Sequence, residues 1–240
     1  MKQLLFAIAM VFSVSPACSK NDKRTMNATP DTNINAPKPV SFLALGDSYT
    51  IGESVPPEAN FPNQTATLLQ AANYFTKPRI IARTGWTTDE LESGILAANL
   101  SEPISENYDF VTLLIGVNNQ YRGRTADDYK PEFKALLEKA VKYAGNRPDH
   151  VAVISIPDWG ATPFANGRDR AEIARQIDAY NNVNKDITRI TGSFYIDITA
   201  WTREALSNPA LVATDGLHPS ALEYKRWAEK LRDIILLKMR

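Results

Sequence analysis

Short apolar runs alternate with longer amphipathic stretches along most of this chain. The runs at 40–45 (VSFLAL), 79–82 (RIIA), 109–116 (DFVTLLIG), 150–157 (HVAVISIP) and 193–198 (SFYIDI) are rich in Val, Ile, Leu and Phe and lack polar alternation. Runs of this length and composition predict strands buried on both faces. The segments between them have helical spacing. From Asp169 to Ile190, the positions Ile173, Ile177, Tyr180, Val183, Ile187 and Ile190 recur at intervals of three or four, and Gly192 ends the helix. A last helix is expected after Pro219, with Ser220 and Glu223 spaced as a capping box. Strands alternating with helices build βαβ units. The expected fold is therefore a single α/β domain over 40–240, a three-layer α/β/α sandwich around a mostly parallel five-stranded sheet.

The first 39 residues read differently. Lys2 precedes an apolar run from Leu4 to Val14, and small residues lead to Cys18. This predicts a signal peptide over 1–17, too short for an ordinary membrane span. The polar, Asn/Pro/Thr-rich stretch that follows predicts a flexible tether over 18–39. Cys18 is the only cysteine, so an intramolecular disulfide is impossible. Its setting after Ser15-Pro16-Ala17 resembles the lipobox of bacterial lipoproteins, which implies that Cys18 is lipidated. The same residues also fit an ordinary cleavage site and plain secretion. Either way the protein is expected to be exported, lipid-anchored at the cell envelope in the first case and periplasmic or secreted in the second.

Composition narrows the functional classes. Forty-four per cent of the 240 residues are hydrophobic and 22% are charged, as in ordinary globular proteins. Lys+Arg and Asp+Glu both total 27, so no basic excess points to nucleic acid. Two histidines and one cysteine cannot build a usual zinc site, although carboxylate sites stay open. No phosphate-cradling G-x-x-x-x-G-K run is present. No metal or cofactor is expected, and the protein is expected to be a monomer.

In open parallel sheets, ligands bind beyond the carboxyl ends of the strands. The residues that follow the predicted strands there are Gly46-Asp47-Ser48, then Gly85-Trp86, then Gly116-Val117-Asn118-Asn119, and later Asp215-Gly216-Leu217-His218-Pro219. Together they supply a hydroxyl nucleophile, a base, an orienting acid and amide donors. A serine becomes nucleophilic when a base takes its proton, and a carboxylate fixes the tautomer of that base. Pro219 disfavours helical geometry at His218 and so keeps it on a loop. Asp215, three residues earlier across an easy turn at Gly216, can reach one ring nitrogen while the other faces Ser48. The N–H groups of Ser48 and Gly85 and the side-chain amide of Asn118 could hold an oxyanion, and glycine at 85 removes a Cβ from the approach. Taken singly, each block has a structural reading: a turn, a loop after a strand, a helix cap. His150 reads as a residue at the start of a strand. Trp86, Trp159 and Trp201 read as core, lid or pocket wall. Arg122, Arg124, Arg168 and Arg170 read as solvated surface or as contacts for an anionic or sugar-rich substrate.

The four blocks GDSYT, Gly85, GVNN and DGLHP, in this order across nearly the whole domain, resemble the GDSL/SGNH hydrolase superfamily. The resemblance implies a compact α/β sandwich and metal-independent hydrolysis of carboxylic esters or thioesters. It implies Ser48 as nucleophile, Asp215 and His218 as the rest of a triad, and Ser48, Gly85 and Asn118 as oxyanion donors. Tyr49 stands where the family name has Leu. Thr50 replaces the last glycine of a G-x-S-x-G elbow, which points away from the α/β-hydrolase fold. The expected activity is carboxylic ester hydrolysis through an acyl-enzyme, on acetyl or other short acyl esters of a small molecule, glycan or lipid. The membrane would be a partner only through the lipid anchor. The alternative is a non-catalytic glycan- or lipid-binding surface lipoprotein on the same fold, which would be expected to lack a triad member.

Overall fold

The computed structural model describes residues 36–239. The signal peptide and Cys18 expected above lie outside the described residues, as does the tether except for its last four positions. Two of those four, Lys38–Pro39 (β1), form a short parallel ladder with Tyr74–Phe75 (β3). Paired strand backbone thus includes the last two positions of the expected tether. The dipeptide Lys-Pro carries no strand pattern, and the pairing rests on backbone bonds such as Lys38 N–H to the Asn73 carbonyl (2.9 Å).

The main sheet has the five expected strands, all parallel: Phe42–Asp47 (β2), Arg79–Arg83 (β4), Phe110–Leu114 (β5), Val151–Ile154 (β6) and Phe194–Ile196 (β7). Their order across the sheet is β4-β2-β5-β6-β7. The central strands β2, β5 and β6 are buried at every position, which is why their sequences lack alternation. Helices Phe61–Ala71 (α2) and Ala221–Lys238 (α8) pack on each other. Helices Thr88–Ser101 (α3), Ala126–Tyr143 (α5) and Arg170–Thr191 (α6) also pack side by side. Right-handed crossovers place these two groups on opposite faces, giving three layers. Helix α6 starts at its Asp169 cap and ends at Gly192, as its spacing predicts.

Strand order reverses between β2 and β5, because the chain leaves β2 towards β4 and returns to pair β5 on the other side. Such a reversal opens a crevice at the strands' carboxyl ends. Two one-turn helices start there, Ser48–Ile51 (α1) directly after β2 and Val117–Tyr121 (α4) after β5. One expectation about α8 needs correction. Ser220 caps it, accepting the Glu223 N–H at 3.4 Å, but Glu223 does not close the reciprocal half of a capping box. Its buried carboxylate instead accepts from Trp227 Nε1 (2.8 Å) and Arg226 (2.9 Å). The indole lies one turn away and buried, where its N–H needs an acceptor more than the exposed helix start does.

Candidate active site

Ser48 is the first residue of α1, held by its neighbour. Asp47 caps the helix through Oδ1, which accepts the Tyr49 N–H at 3.0 Å. The Ser48 side chain is nearly buried, and its Oγ lies 2.9 Å from His218 Nε2. His218 Nδ1 lies 2.6 Å from Asp215 Oδ2. The distances define a continuous hydrogen-bonded chain from carboxylate through imidazole to hydroxyl, across 170 residues of sequence.

A small hairpin holds the imidazole. An antiparallel bridge joins Val212 to Pro219, and the Ala213 N–H donates to the His218 carbonyl at 2.7 Å. Gly216 turns the loop at φ +73°. Asp215 grips both parts of His218: Oδ1 accepts the backbone N–H groups of Leu217 (2.9 Å) and His218 (3.0 Å), and Oδ2 takes the ring. Ser54 Oγ donates to the same Oδ2 at 2.8 Å. Burial opposes the charge on Asp215. The hydrogen bonds from the His218 ring, the Leu217 N–H, the Ser54 hydroxyl and the His218 N–H outweigh it and lower the carboxyl to about 2. The Tyr49 ring lies against the imidazole, with centroids 5.0 Å apart.

Asp47 has a different environment. It is fully enclosed, and its Oδ2 has no hydrogen-bond partner among the described residues. Burial raises its carboxyl to about 7, against the opposing pull of the Tyr49 N–H.

The two asparagines of α4 have separate tasks. Asn119 is buried and pins the start of α3, donating to Thr88 Oγ1 (2.6 Å) and accepting the Thr88 N–H (3.1 Å). Asn118 lines the cavity beside Ser48 and His218 and donates one Nδ2 hydrogen to the Trp86 carbonyl at 3.0 Å. An amide nitrogen has two hydrogens, so one is left for a ligand. This contact puts the Asn118 amide one residue from Gly85. Gly85 is not among the residues lining the cavity. Its N–H has no acceptor among the described residues, and its carbonyl accepts from Arg122 at 2.6 Å. A Cβ there would meet Arg122 only at an ordinary 3.8 Å. Glycine is required by the left-handed φ of +83°, not by crowding at the ligand.

The cavity beyond Ser48 has a volume of about 140 Å³, and Tyr121, Trp159, Phe164 and Leu217 wall it on one side. Of the tryptophans, Trp159 is therefore pocket wall, while Trp86 and Trp201 are partly buried against the core. Sequence reasoning missed Ser54, Tyr121 and Phe164. All four arginines have protein partners: Arg122 pairs with Glu90, Arg124 with Asp89, Arg170 donates to the Gly160 carbonyl and to Asn166, and Arg168 donates to the Tyr121 hydroxyl at 3.3 Å. His150 bonds the Asp109 carbonyl at 2.8 Å and leads into β6, so it lies at the amino ends of the parallel strands, opposite the edge that carries this site.

Known proteins place this geometry in context. An acetylxylan esterase from Geobacillus stearothermophilus is 29% identical over 126 residues, 49% of this chain. The matched stretch spans about half, 54%, of that relative. Three solved structures share the fold. TesA has a TM-score of 0.63 at 16% identity and covers 82% of this chain and 99% of its own. The psychrotrophic esterase EstA from Pseudoalteromonas sp. has a TM-score of 0.59 at 15% identity, covering 83% and 96%. The acetylxylan esterase Axe2 from Geobacillus stearothermophilus has a TM-score of 0.62 at 21% identity, covering 84% and 96%. The GDSL-like lipase/acylhydrolase family model matches residues 44–226, from within β2 to within α8, and the chain belongs to that family.

Proposed function

We propose that this protein hydrolyses carboxylic esters of short acyl groups through an acyl-enzyme on Ser48. The observation that carries the reading is the Asp215–His218–Ser48 chain of hydrogen bonds ending at a cavity. In the first step Ser48 Oγ attacks the ester carbonyl carbon and its proton passes to His218 Nε2. Negative charge develops on the carbonyl oxygen, where the Asn118 amide and the Ser48 N–H stabilise it, with the Gly85 N–H, unpaired among the described residues and set back from the cavity lining, as a third donor. The C–O bond to the alcohol then breaks, and the departing oxygen takes the proton from Nε2. Water repeats the sequence on the acyl-enzyme, giving the carboxylic acid and free Ser48. Asp215 stays ionised throughout and balances the imidazolium that forms in each half. The acetylxylan esterase relative supports an acetyl group as the acyl part.

The purified domain should turn over p-nitrophenyl acetate and keep that activity in EDTA. A fluorophosphonate should label Ser48 and abolish turnover. Labelling elsewhere with Ser48 unmodified would refute the assignment. We further propose export and lipidation at Cys18. Mass spectrometry of protein from its native membrane fraction should find a diacylated or triacylated Cys18 at the N-terminus, and an unmodified Cys18 would overturn the anchor.

A further inference from the structure

We propose that Tyr121, Trp159 and Phe164 form a platform for the sugar ring of an O-acetylated pyranoside, on the leaving-group side of the site. The inference rests on the ester-hydrolase reading and names the class of alcohol. The three rings form a closed triangle, with centroids 5.4 Å (Tyr121–Trp159), 5.9 Å (Trp159–Phe164) and 6.2 Å (Tyr121–Phe164) apart. The Arg168 guanidinium caps it, 5.4, 5.4 and 5.6 Å from the Tyr121, Trp159 and Phe164 rings. Arg168 has no carboxylate partner within salt-bridge distance among the described residues, unlike Arg122 and Arg124. Its one side-chain hydrogen bond there is to the Tyr121 hydroxyl at 3.3 Å. The cation and the electron-rich ring faces attract, so the guanidinium fixes the wall. Trp159 is further held by Nε1 donating to Gln120 Oε1 at 2.8 Å.

The wall's place in the fold assigns it to the alcohol. The Phe164 N–H donates to the Gly216 carbonyl at 2.9 Å, and Gly216 lies between Asp215 and His218. The aromatic loop is thus tied to the loop carrying the base. Since that base must protonate the departing oxygen, the alcohol leaves on its side.

The exposure of the rings then identifies what kind of alcohol fits. Trp159 is buried, but Tyr121 and Phe164 are 46% and 41% exposed. A lipid chain on this wall would leave much of its apolar surface in water. A pyranose suits the surface better. Its C–H face, slightly positive, packs on the exposed parts of Tyr121 and Phe164 that Arg168 leaves open, while its hydroxyls remain in water or meet the free N–H donors of Arg168.

The test compares alcohols at constant acyl group. Wild type, Tyr121→Leu and Phe164→Leu are assayed on acetylated methyl xylopyranoside and on ethyl acetate, which has no ring. Each substitution should lower the ratio of the two kcat/KM values by roughly five- to tenfold, chiefly through KM for the xyloside. An unchanged ratio, with both substrates losing equally, overturns the platform. So does a wild-type preference for a long-chain lysophospholipid over the acetylated sugar. Binding is read separately in Ser48→Ala by saturation-transfer NMR with the acetylated xyloside, and contacts should fall on the sugar C–H face and weaken in the double variants. If wild type hydrolyses neither ester but this binding persists, the hydrolase reading fails and the platform stands. If sugar binding is absent or indifferent to Tyr121 and Phe164, the platform fails.

Discussion

Replacing Ser54 with alanine removes a hydroxyl that nothing in the GDSYT block announces. Asp215 receives four donors: the His218 ring, the N–H groups of Leu217 and His218, and Ser54 Oγ. Only the ring and Ser54 share Oδ2, so Ser54 helps aim the lone pair that orients the imidazole. A hydrogen bond to a charged group contributes about 1.5–3 kcal/mol net when no replacement is available. Here replacement is available, because Ser54 is exposed and the Asp215 side chain is 28% exposed. Water can occupy the vacated position, which reduces the expected cost to about 0.5–1 kcal/mol, a two- to fivefold fall in kcat with KM little changed. Asp215→Ala removes the orienting carboxylate itself and should cost about 10⁴-fold.

The assay is initial-rate hydrolysis of p-nitrophenyl acetate, corrected for spontaneous turnover, for wild type, both single variants and the double. If Ser54 works through Asp215, the double variant should be no slower than Asp215→Ala alone. Full additivity would refute the reasoning. The backbone supplies a control, since Ser54 adopts a left-handed φ of +64° that glycine accommodates better than alanine. Ser54→Gly and Ser54→Ala lose the same hydroxyl, so they should match in kcat. A far larger loss in the alanine variant would assign the effect to backbone conformation instead.

Ser48→Ala and His218→Ala should each reduce kcat by roughly 10⁴-fold or more, and the double variant should be little worse than either, because the two act as one unit. Gly46→Ala would place a Cβ 2.1 Å from Thr50 Oγ1 and 2.4 Å from the Leu114 carbonyl, where backbone must move. A loss of about 3 kcal/mol is expected, read as a melting temperature lower by roughly 6–12 °C, and an unchanged melt would contradict it. Asp47 titrates higher folded (about 7) than in its ordinary state near 4. Its contribution to stability is therefore greatest below pH 4 and is lost as pH rises through 7. Asp47→Asn should flatten the decline in unfolding free energy between pH 5 and pH 8, measured by urea titration, and an identical slope in both proteins would count against the buried charge. Asp215 has the opposite sign: with its carboxyl near 2, it stays charged down to strongly acidic pH, so its protonation does not limit activity above about pH 4.

The parts of the fold that were legible in the sequence are those where burial dictates composition. Strands β2, β5 and β6 are enclosed on both faces, so nearly every position had to be apolar and the runs stood out. The Asp215–His218 geometry was legible because local spacing and Pro219 confine it to one short loop. Contacts between distant segments were not. Ser54 meets Asp215 across 161 residues, and a serine hydroxyl in a polar loop carries no signal of its partner. Asn118 and Asn119 are chemically identical, and only the helical turn of α4 sends one to the cavity and the other to Thr88. Glu223 has capping-box spacing, yet a buried indole N–H one turn along competes for it and wins. Tyr121 and Phe164 join one wall only after α4 and the loop before α6 come together.

This division follows how the site is assembled. Ser48 and Asn118 sit just past the ends of β2 and β5, adjacent strands whose separation is set by ladder hydrogen bonds. His218 and Asp215 come on a hairpin held by loop contacts: the Val212–Pro219 bridge, the Ser54 hydroxyl and the Phe164 N–H on Gly216. In the proposed mechanism, the nucleophile and the Asn118 donor are thus held on a frame of paired strands. The proposed base is held by loop contacts instead, and one of these supports, Phe164, also belongs to the proposed sugar wall. Changes in the 157–169 loop can alter which alcohol is accepted and how well the base is aimed without disturbing the sheet. Loop variation on a fixed scaffold can change specificity in this way at little cost in stability. In this chain the Phe164 backbone N–H on the Gly216 carbonyl joins the two effects, so loop changes that break this backbone contact should shift alcohol preference and kcat together, side-chain truncations at Phe164 that keep it should act chiefly on KM, and changes on β2 or β5 should act mainly through stability.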